Sequence, residues 1–139
     1  APFLEEHSLE VLLPFLQVAL PQTSILPLLF GEVDPGEVAE ALLPELGQKD
    51  LVVASSDLSH YHPDPVARKL DAKTLKRALA LDAEGVAQGE ACGRLPWGTL
   101  TALARALGWK PRLLAYATSA EAGGGRERVV GYGALAYVG

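Results

Sequence analysis

Residues 51–62, LVVASSDLSHYH, join an apolar run to a dense group of polar side chains. The run at 51–54 consists of Leu, Val, Val and Ala, and such a run predicts a strand that is buried on both faces. The next eight residues carry a carboxylate, two imidazoles, a phenol and three serine hydroxyls. Because ligands in open α/β sheets bind beyond the carboxyl ends of the strands, we expect the functional site in this stretch.

Length, composition and charge limit the class of protein. The chain has 139 residues, 49% hydrophobic and 21% charged, so we expect one ordered domain or a fragment of a longer chain. The net charge of -5 and the lack of a long basic stripe argue against nucleic acid or an anionic membrane as the main partner. No apolar run reaches the ~20 residues that span a bilayer, and no leader pattern is visible, so we expect a cytoplasmic protein. The single cysteine excludes an internal disulfide, and the absence of Asn and Met is typical of thermophiles.

Helical and strand patterns precede this stretch. Residues 5–20 place apolar side chains at helical spacing, and Pro14 is expected to kink that helix. Residues 24–30 predict a strand. Residues 35–46 predict a helix with Asp34 as its N-cap.

Three helices and then two strands are predicted after it. The helices are expected over residues 64–81, 83–89 and 97–107. The strands are expected over residues 112–119 and 128–138, and the glycine-rich loop between them predicts a hairpin. The order of elements predicts an α/β fold, an α/β sandwich with a mixed β-sheet flanked by helices.

Asp57 and His60 are the first candidates for chemistry. A carboxylate three residues before a histidine can accept the N–H of that histidine, which fixes the tautomer and makes the other ring nitrogen a better base or metal ligand. The alternative is structural, with Asp57 capping a turn and His60 buried with its hydrogen bonds satisfied. His62 precedes a proline and is expected at the surface.

Cys92 is the only thiol and the next candidate. A thiolate is a soft ligand for iron, copper or zinc, or a nucleophile, whereas a free cysteine is also commonly a small buried hydrophobic residue. Glu6, His7 and Tyr61 are candidates for the lining of a pocket, although a helix dipole and ordinary packing explain such residues equally well. The chain has no P-loop, GxGxxG, paired CxxC, HExxH or GxSxG motif.

Four segments together resemble the Memo family. They are EEHSLEVLLPFLQ at 5–17, LVVASSDLSHY at 51–61, ACG at 91–93 and VVGYGALAYV at 129–138. Prokaryotic members of this family are often called AmmeMemoRadiSam system protein B, and the family is similar in fold to the class III non-haem iron extradiol dioxygenases, which are LigB-like. Family members are about twice this long, so the resemblance implies that residues 1–139 are the C-terminal part of a Memo-like domain.

The resemblance implies a metal pocket for iron or copper, with two histidines, a cysteine and a nearby aspartate–histidine pair. The cysteine matches Cys92 and the pair matches Asp57 and His60, where the histidine acts as acid and base beside the metal and is a further candidate ligand. The EHS motif of the family matches Glu6, His7 and Ser8. The two remaining histidine ligands belong to the N-terminal half of the family, and His7 and His62 do not match them, so this chain is expected to carry an incomplete site.

Two functions remain open at this point. One is metal-dependent redox activity of the dioxygenase type; the other is non-enzymatic binding of a partner or peptide on a vestigial dioxygenase-like site. A metal-assisted hydrolase is less favoured, because the chain has too few acidic ligands for a two-metal site. The expected partners are the N-terminal half or a second copy, which would cover an exposed sheet edge and apolar face. The family name further implies AMMECR-type and radical-SAM-type partner proteins.

Overall fold

The computed structural model describes residues 6–139. The first predicted helix begins at residue 5, which lies outside the described residues. The chain divides into two compact units, of which the first ends at Glu32 and the second comprises Val33–Gly139. No helix within the described residues is long and apolar enough to cross a membrane.

The first unit contains helix α1, Leu13–Ala19, preceded by turns over residues 8–12. The helix is shorter than predicted, and Pro14 lies in its first turn. The predicted kink is wrong, because an N–H in the first turn has no helical partner to lose. The predicted strand at 24–30 is wrong as well. Those residues have no regular secondary structure, Leu26 is 82% exposed, and the proline at position 27 cannot donate to a ladder.

The second unit is built on an antiparallel sheet of three strands. Its strands are β1, His60–His62, β2, Lys110–Thr118, and β3, Val129–Val138, in the order β1-β3-β2. The pairing of β2 with β3 confirms the predicted hairpin, and Thr118 lies opposite Gly131. The connection between the two strands includes a 3-10 turn, Ser119–Ala122.

The second unit has four helices. They are α2, Pro35–Leu42, α3, Asp64–Leu79, α4, Ala83–Ala87, and α5, Arg94–Leu107. Of these, α3 packs against all three strands of the sheet. The predicted N-cap of α2 is confirmed, because Asp34 accepts the N–H of Glu37 at 2.9 Å. The predicted end of α5 at Gly108 is confirmed as well, and this glycine has a φ of 71°.

The prediction of an α/β fold is confirmed, and the sheet, predicted to be mixed, is antiparallel in both pairings of the described strands. The hydrophobic core contains Leu58, from the loop that precedes β1, together with residues of the helices and the α4–α5 loop; its members are Leu58, Leu75, Ala78, Val86, Ala91 and Trp97.

The strand predicted at residues 51–54 does not form. Residues 51–59 have no regular secondary structure, and β1 begins only at His60, within the polar part of the stretch. Leu51 is 67% exposed and Val53 is 49% exposed. A strand needs neighbours that satisfy its N–H and C=O groups, and no strand among the described residues pairs with this run.

Candidate functional site

Asp57 brings two of the predicted site residues together. Its Oδ2 lies 2.6 Å from Nε2 of His60, and its Oδ1 accepts the backbone N–H of Cys92 at 3.2 Å. The hydrogen bond that the three-residue spacing predicts is therefore present. Cys92 belongs to the loop between α4 and α5, so a single carboxylate connects that loop to the start of β1.

The contact with Asp57 determines which nitrogen of His60 remains available. Asp57 occupies Nε2, and Nδ1 makes no hydrogen bond with any described residue. A carboxylate on one ring nitrogen holds a proton there and increases the basicity of the other nitrogen. The side chain of His60 is 31% exposed, and Nδ1 is the ring nitrogen that is left for another partner.

The environment gives Asp57 and Cys92 opposite charge preferences. Burial raises the pKa of Asp57, but hydrogen bonds from the side chain and amide of Cys92 and from His60 outweigh it, so the pKa is lowered and the carboxylate is ionised at neutral pH. Burial also raises the pKa of the Cys92 thiol, and the nearby Asp57 carboxylate adds to this effect. A thiol that stays protonated is a poor nucleophile, so the site does not favour Cys92 as a nucleophile, and Cys92 becomes a thiolate ligand only when a metal displaces its proton.

Gly93 lets the Cys92 loop approach the Asp57 segment. The N–H of Gly93 donates to Oγ of Ser56 at 3.0 Å, and that hydroxyl donates to the carbonyl of Asp57 at 2.7 Å. A Cβ atom at position 93 would lie 2.2 Å from the carbonyl oxygen of Ser55, so only glycine fits. The sequence does not predict this role of Ser56, because the contact joins residues 37 positions apart and no local sequence pattern indicates it.

Tyr61 adopts a strained backbone next to His60. Its φ is 63°, a left-handed value that is uncommon for residues with a side chain. The pairing of β1 with β3 is irregular between His60 and His62, which is typical of a bulge that redirects side chains. The centre of the exposed Tyr61 ring lies 5.8 Å from the centre of the His60 ring, and the guanidinium of Arg128 lies 5.1 Å from the centre of the Tyr61 ring. Tyr61 therefore lies at the surface beside the pair.

The other predicted residues are His62 in the second unit, and Glu6 and His7 in the first. Nε2 of His62 contacts Glu90 at 2.8 Å, and its side chain is 34% exposed, so it is a partly exposed residue of β1. Glu6 and His7 belong to the first unit, where Glu6 accepts the N–H of Ser8 at 2.9 Å. Their place in a pocket remains a prediction.

The donor set of this cluster does not complete a metal site. The described residues contain no group of three or more His, Cys, Asp or Glu side chains that could hold a metal. Both oxygens of Asp57 are engaged, which leaves the Cys92 thiol and Nδ1 of His60 as donors. Catalytic metals generally take three protein ligands and one open position. These residues alone therefore supply only part of the donor set that iron or copper would need.

Fold and site together define an α/β protein with a carboxylate–imidazole pair next to a free thiol. The family model of Memo-like proteins matches residues 1–136, and the chain belongs to this family. It is 39% identical to a MEMO1 family protein of Sulfolobus acidocaldarius over 93% of the chain and 50% of that protein. It is 32% identical to one of Pyrobaculum aerophilum over 97% of the chain and 53% of that protein. A MEMO1 family protein of Methanosarcina barkeri is 35% identical over 94% of the chain and 54% of its own length. The chain thus spans about half the length of the curated relatives it matches.

Proposed function

We propose that Asp57, His60 and Cys92 are part of a metal-dependent redox site of the dioxygenase type. The observation that carries this proposal is the double contact of Asp57, which holds an imidazole and the backbone of a cysteine with its two oxygens. A partly buried carboxylate that orients a histidine next to a soft sulfur donor is the arrangement of an acid–base group beside a metal ligand. The resemblance to the class III extradiol dioxygenases points the same way.

Each residue has a distinct role in this proposal. Cys92 is the sulfur ligand, and iron or copper suits a thiolate donor. His60 takes or gives a proton at Nδ1, and Asp57 keeps the other proton on Nε2 and stabilises the imidazolium that forms. The metal would supply the redox chemistry. Because Asp57 is already ionised, it can stabilise that positive charge without a proton transfer of its own.

In this proposal, the remaining metal ligands come from residues outside the described part of the chain. The relatives are about twice as long as this chain, and with these roles the described residues supply one ligand, Cys92, of about three. The apolar run with Leu51 and Val53 is exposed on the segment that leads into the site. We propose that the N-terminal half of a Memo-like domain, or a second copy, covers this run and completes the site. AMMECR-type and radical-SAM-type proteins are the proposed partners of the whole protein, as AmmeMemoRadiSam system protein B.

Metal content tests the redox proposal. The full-length gene product is purified anaerobically, and iron and copper are counted by elemental mass spectrometry. We expect about one equivalent per chain, lost in Cys92→Ala. His62→Gln is the matched control, because His62 also pairs with a carboxylate and lies two residues from His60; it should keep its metal. His60→Gln should keep metal but lose metal-dependent oxygen uptake with ascorbate as electron donor. A metal-free wild type would refute the proposal.

The exposed apolar run favours one other function, the binding of a partner or peptide on a vestigial site. Leu51 and Val53 expose apolar surface, and exposed apolar groups that lie together commonly mark an interaction site. Under this alternative, Leu51→Ser lowers partner capture in a pull-down with the AMMECR-type protein, whereas Cys92→Ala leaves both metal content and capture unchanged. Loss of metal in Cys92→Ala would contradict it.

A further inference from the structure

The backbone next to the acid–base pair is held by a buried carboxylate on α3. Asp71 is 1% exposed, and its Oδ1 accepts the backbone N–H of Ser59, the residue before His60, at 2.9 Å. Its Oδ2 accepts the hydroxyl of Tyr116, on β2, at 2.6 Å. The two oxygens of Asp71 thus connect α3, β2 and the loop that carries the site.

Strand β3 fixes the same loop through its own backbone. The N–H of Leu58 donates to the carbonyl of Gly131 at 2.9 Å, and the N–H of Gly131 donates to the carbonyl of Ser59 at 3.0 Å. A Cβ atom at position 131 would lie 2.0 Å from Oδ2 of Asp71, so only glycine lets the strand pass the carboxylate. Both backbone polar groups of Ser59 are therefore bound, one by Asp71 and one by β3.

We propose that Asp71 is a positioning residue for the Asp57–His60 pair. The hydrogen bond that the backbone N–H of Ser59 donates to Asp71 restricts the peptide that leads directly into His60. The short contact between His60 and Asp57 requires the imidazole to be placed closely, because hydrogen bonds weaken steeply with distance and angle. The inference rests on the proposed function only for the acid–base role of the Asp57–His60 pair. The position of His60 itself can be measured without metal.

The test is NMR of the histidine side-chain N–H groups in the metal-free, ¹⁵N-histidine-labelled full-length gene product. The signal of His60 is identified by its loss in His60→Gln. We expect a hydrogen-bonded Nε2–H signal of His60 in the wild type and its loss to solvent exchange in Asp71→Ala. Asp71→Asn should restore the signal, because the amide oxygen of Asn can accept the N–H of Ser59. The signal of His62, which contacts Glu90, should not change in any of these variants.

Asp64→Ala is the matched control. Asp64 is also a buried carboxylate of α3, 5% exposed, and accepts the hydroxyl of Thr118 on β2 at 2.6 Å. Its side chain makes no hydrogen bond to the site loop among the described residues, so the variant should keep the His60 signal. If folded Asp71→Ala retains that signal, or if Asp64→Ala loses it equally, the positioning role is refuted.

A milder variant decides the question if Asp71→Ala does not fold. Tyr116→Phe removes one partner of Asp71 and leaves its bond to Ser59, so the carboxylate gains freedom to move. We expect faster amide exchange at Ser59 together with a weaker His60 signal. Faster exchange at Ser59 with an unchanged His60 signal would overturn the inference.

The outcomes also separate this inference from the redox proposal. A protein whose His60 signal depends on Asp71 but which binds no metal refutes the redox site and retains the positioning role. A protein that binds metal through Cys92 but shows no dependence on Asp71 gives the reverse result.

Discussion

Replacement of Gly93 by alanine should separate the Cys92 loop from Asp57. The added Cβ atom would lie 2.2 Å from the carbonyl oxygen of Ser55 and 2.7 Å from Cβ of Ser56. Both neighbours are backbone or close to it and cannot rotate away, so the loop itself must move. That movement breaks the hydrogen bond from Gly93 to Ser56 and the one from Cys92 to Asp57.

The magnitude follows from these contacts. Overpacking of this kind costs about 1–3 kcal/mol, and each lost hydrogen bond costs about 1 kcal/mol. Because the movement that relieves the clash also breaks the bonds, the two costs overlap, and we expect Gly93→Ala to lower the free energy of unfolding by about 2–4 kcal/mol.

Urea unfolding followed by circular dichroism measures this loss. Gly125→Ala is the control, because a Cβ atom at position 125 meets nothing within 4 Å; its free energy of unfolding should stay within about 0.5 kcal/mol of wild type. If Gly93→Ala is as stable as Gly125→Ala, the close approach of the two segments is not what holds Cys92 beside Asp57.

Three further changes test other parts of the second unit. Tyr61→Gly should be more stable than Tyr61→Ala by about 1 kcal/mol in urea unfolding, because only glycine adopts the left-handed backbone without cost. The pKa of Asp64 is lowered, chiefly by the hydrogen bond from the hydroxyl of Thr118. The ionised carboxylate therefore stabilises the fold above its unfolded pKa of about 3.9. This stabilisation is lost as the pH falls through the lower pKa of the folded state. The acid-side fall in the free energy of unfolding should therefore be smaller in Asp64→Asn, when unfolding is measured from about pH 5 to pH 2. Tyr137→Phe removes the acceptor of the indole N–H of Trp97 at 3.1 Å and should cost about 1–3 kcal/mol by thermal unfolding.

Local chemistry made much of the second unit predictable. Asp34 and Gly108 act within one helical turn, and the glycine-rich loop acts between adjacent strands, so a short window of sequence contains each cause. The contact of Asp57 with His60 belongs to the same class, because both partners lie within four residues.

Features that depend on distant partners could not be predicted in this way. The apolar run at 51–54 has the composition of a buried strand, but burial and pairing depend on neighbours that a local pattern does not specify. Asp71 is an acidic residue on a helix, which in sequence indicates a solvated position, yet it is buried because Ser59 and Tyr116 supply its hydrogen bonds. The proximity of Cys92 to Asp57 was implied by the family resemblance and not by spacing.

The hydrogen bonds of the second unit hold the candidate site next to an exposed apolar run. Among the described residues, hydrogen bonds within the second unit hold Asp57, Ser59 and Gly93 in place. The thiol of Cys92 and Nδ1 of His60 are left for a ligand, and the segment that leads to them begins with exposed Leu51. Apolar side chains gain about 25 cal/mol for each Å² removed from water. Under the proposed function, a partner that covered this run would therefore gain binding energy next to Cys92 and His60, and its binding would be coupled to completion of the site.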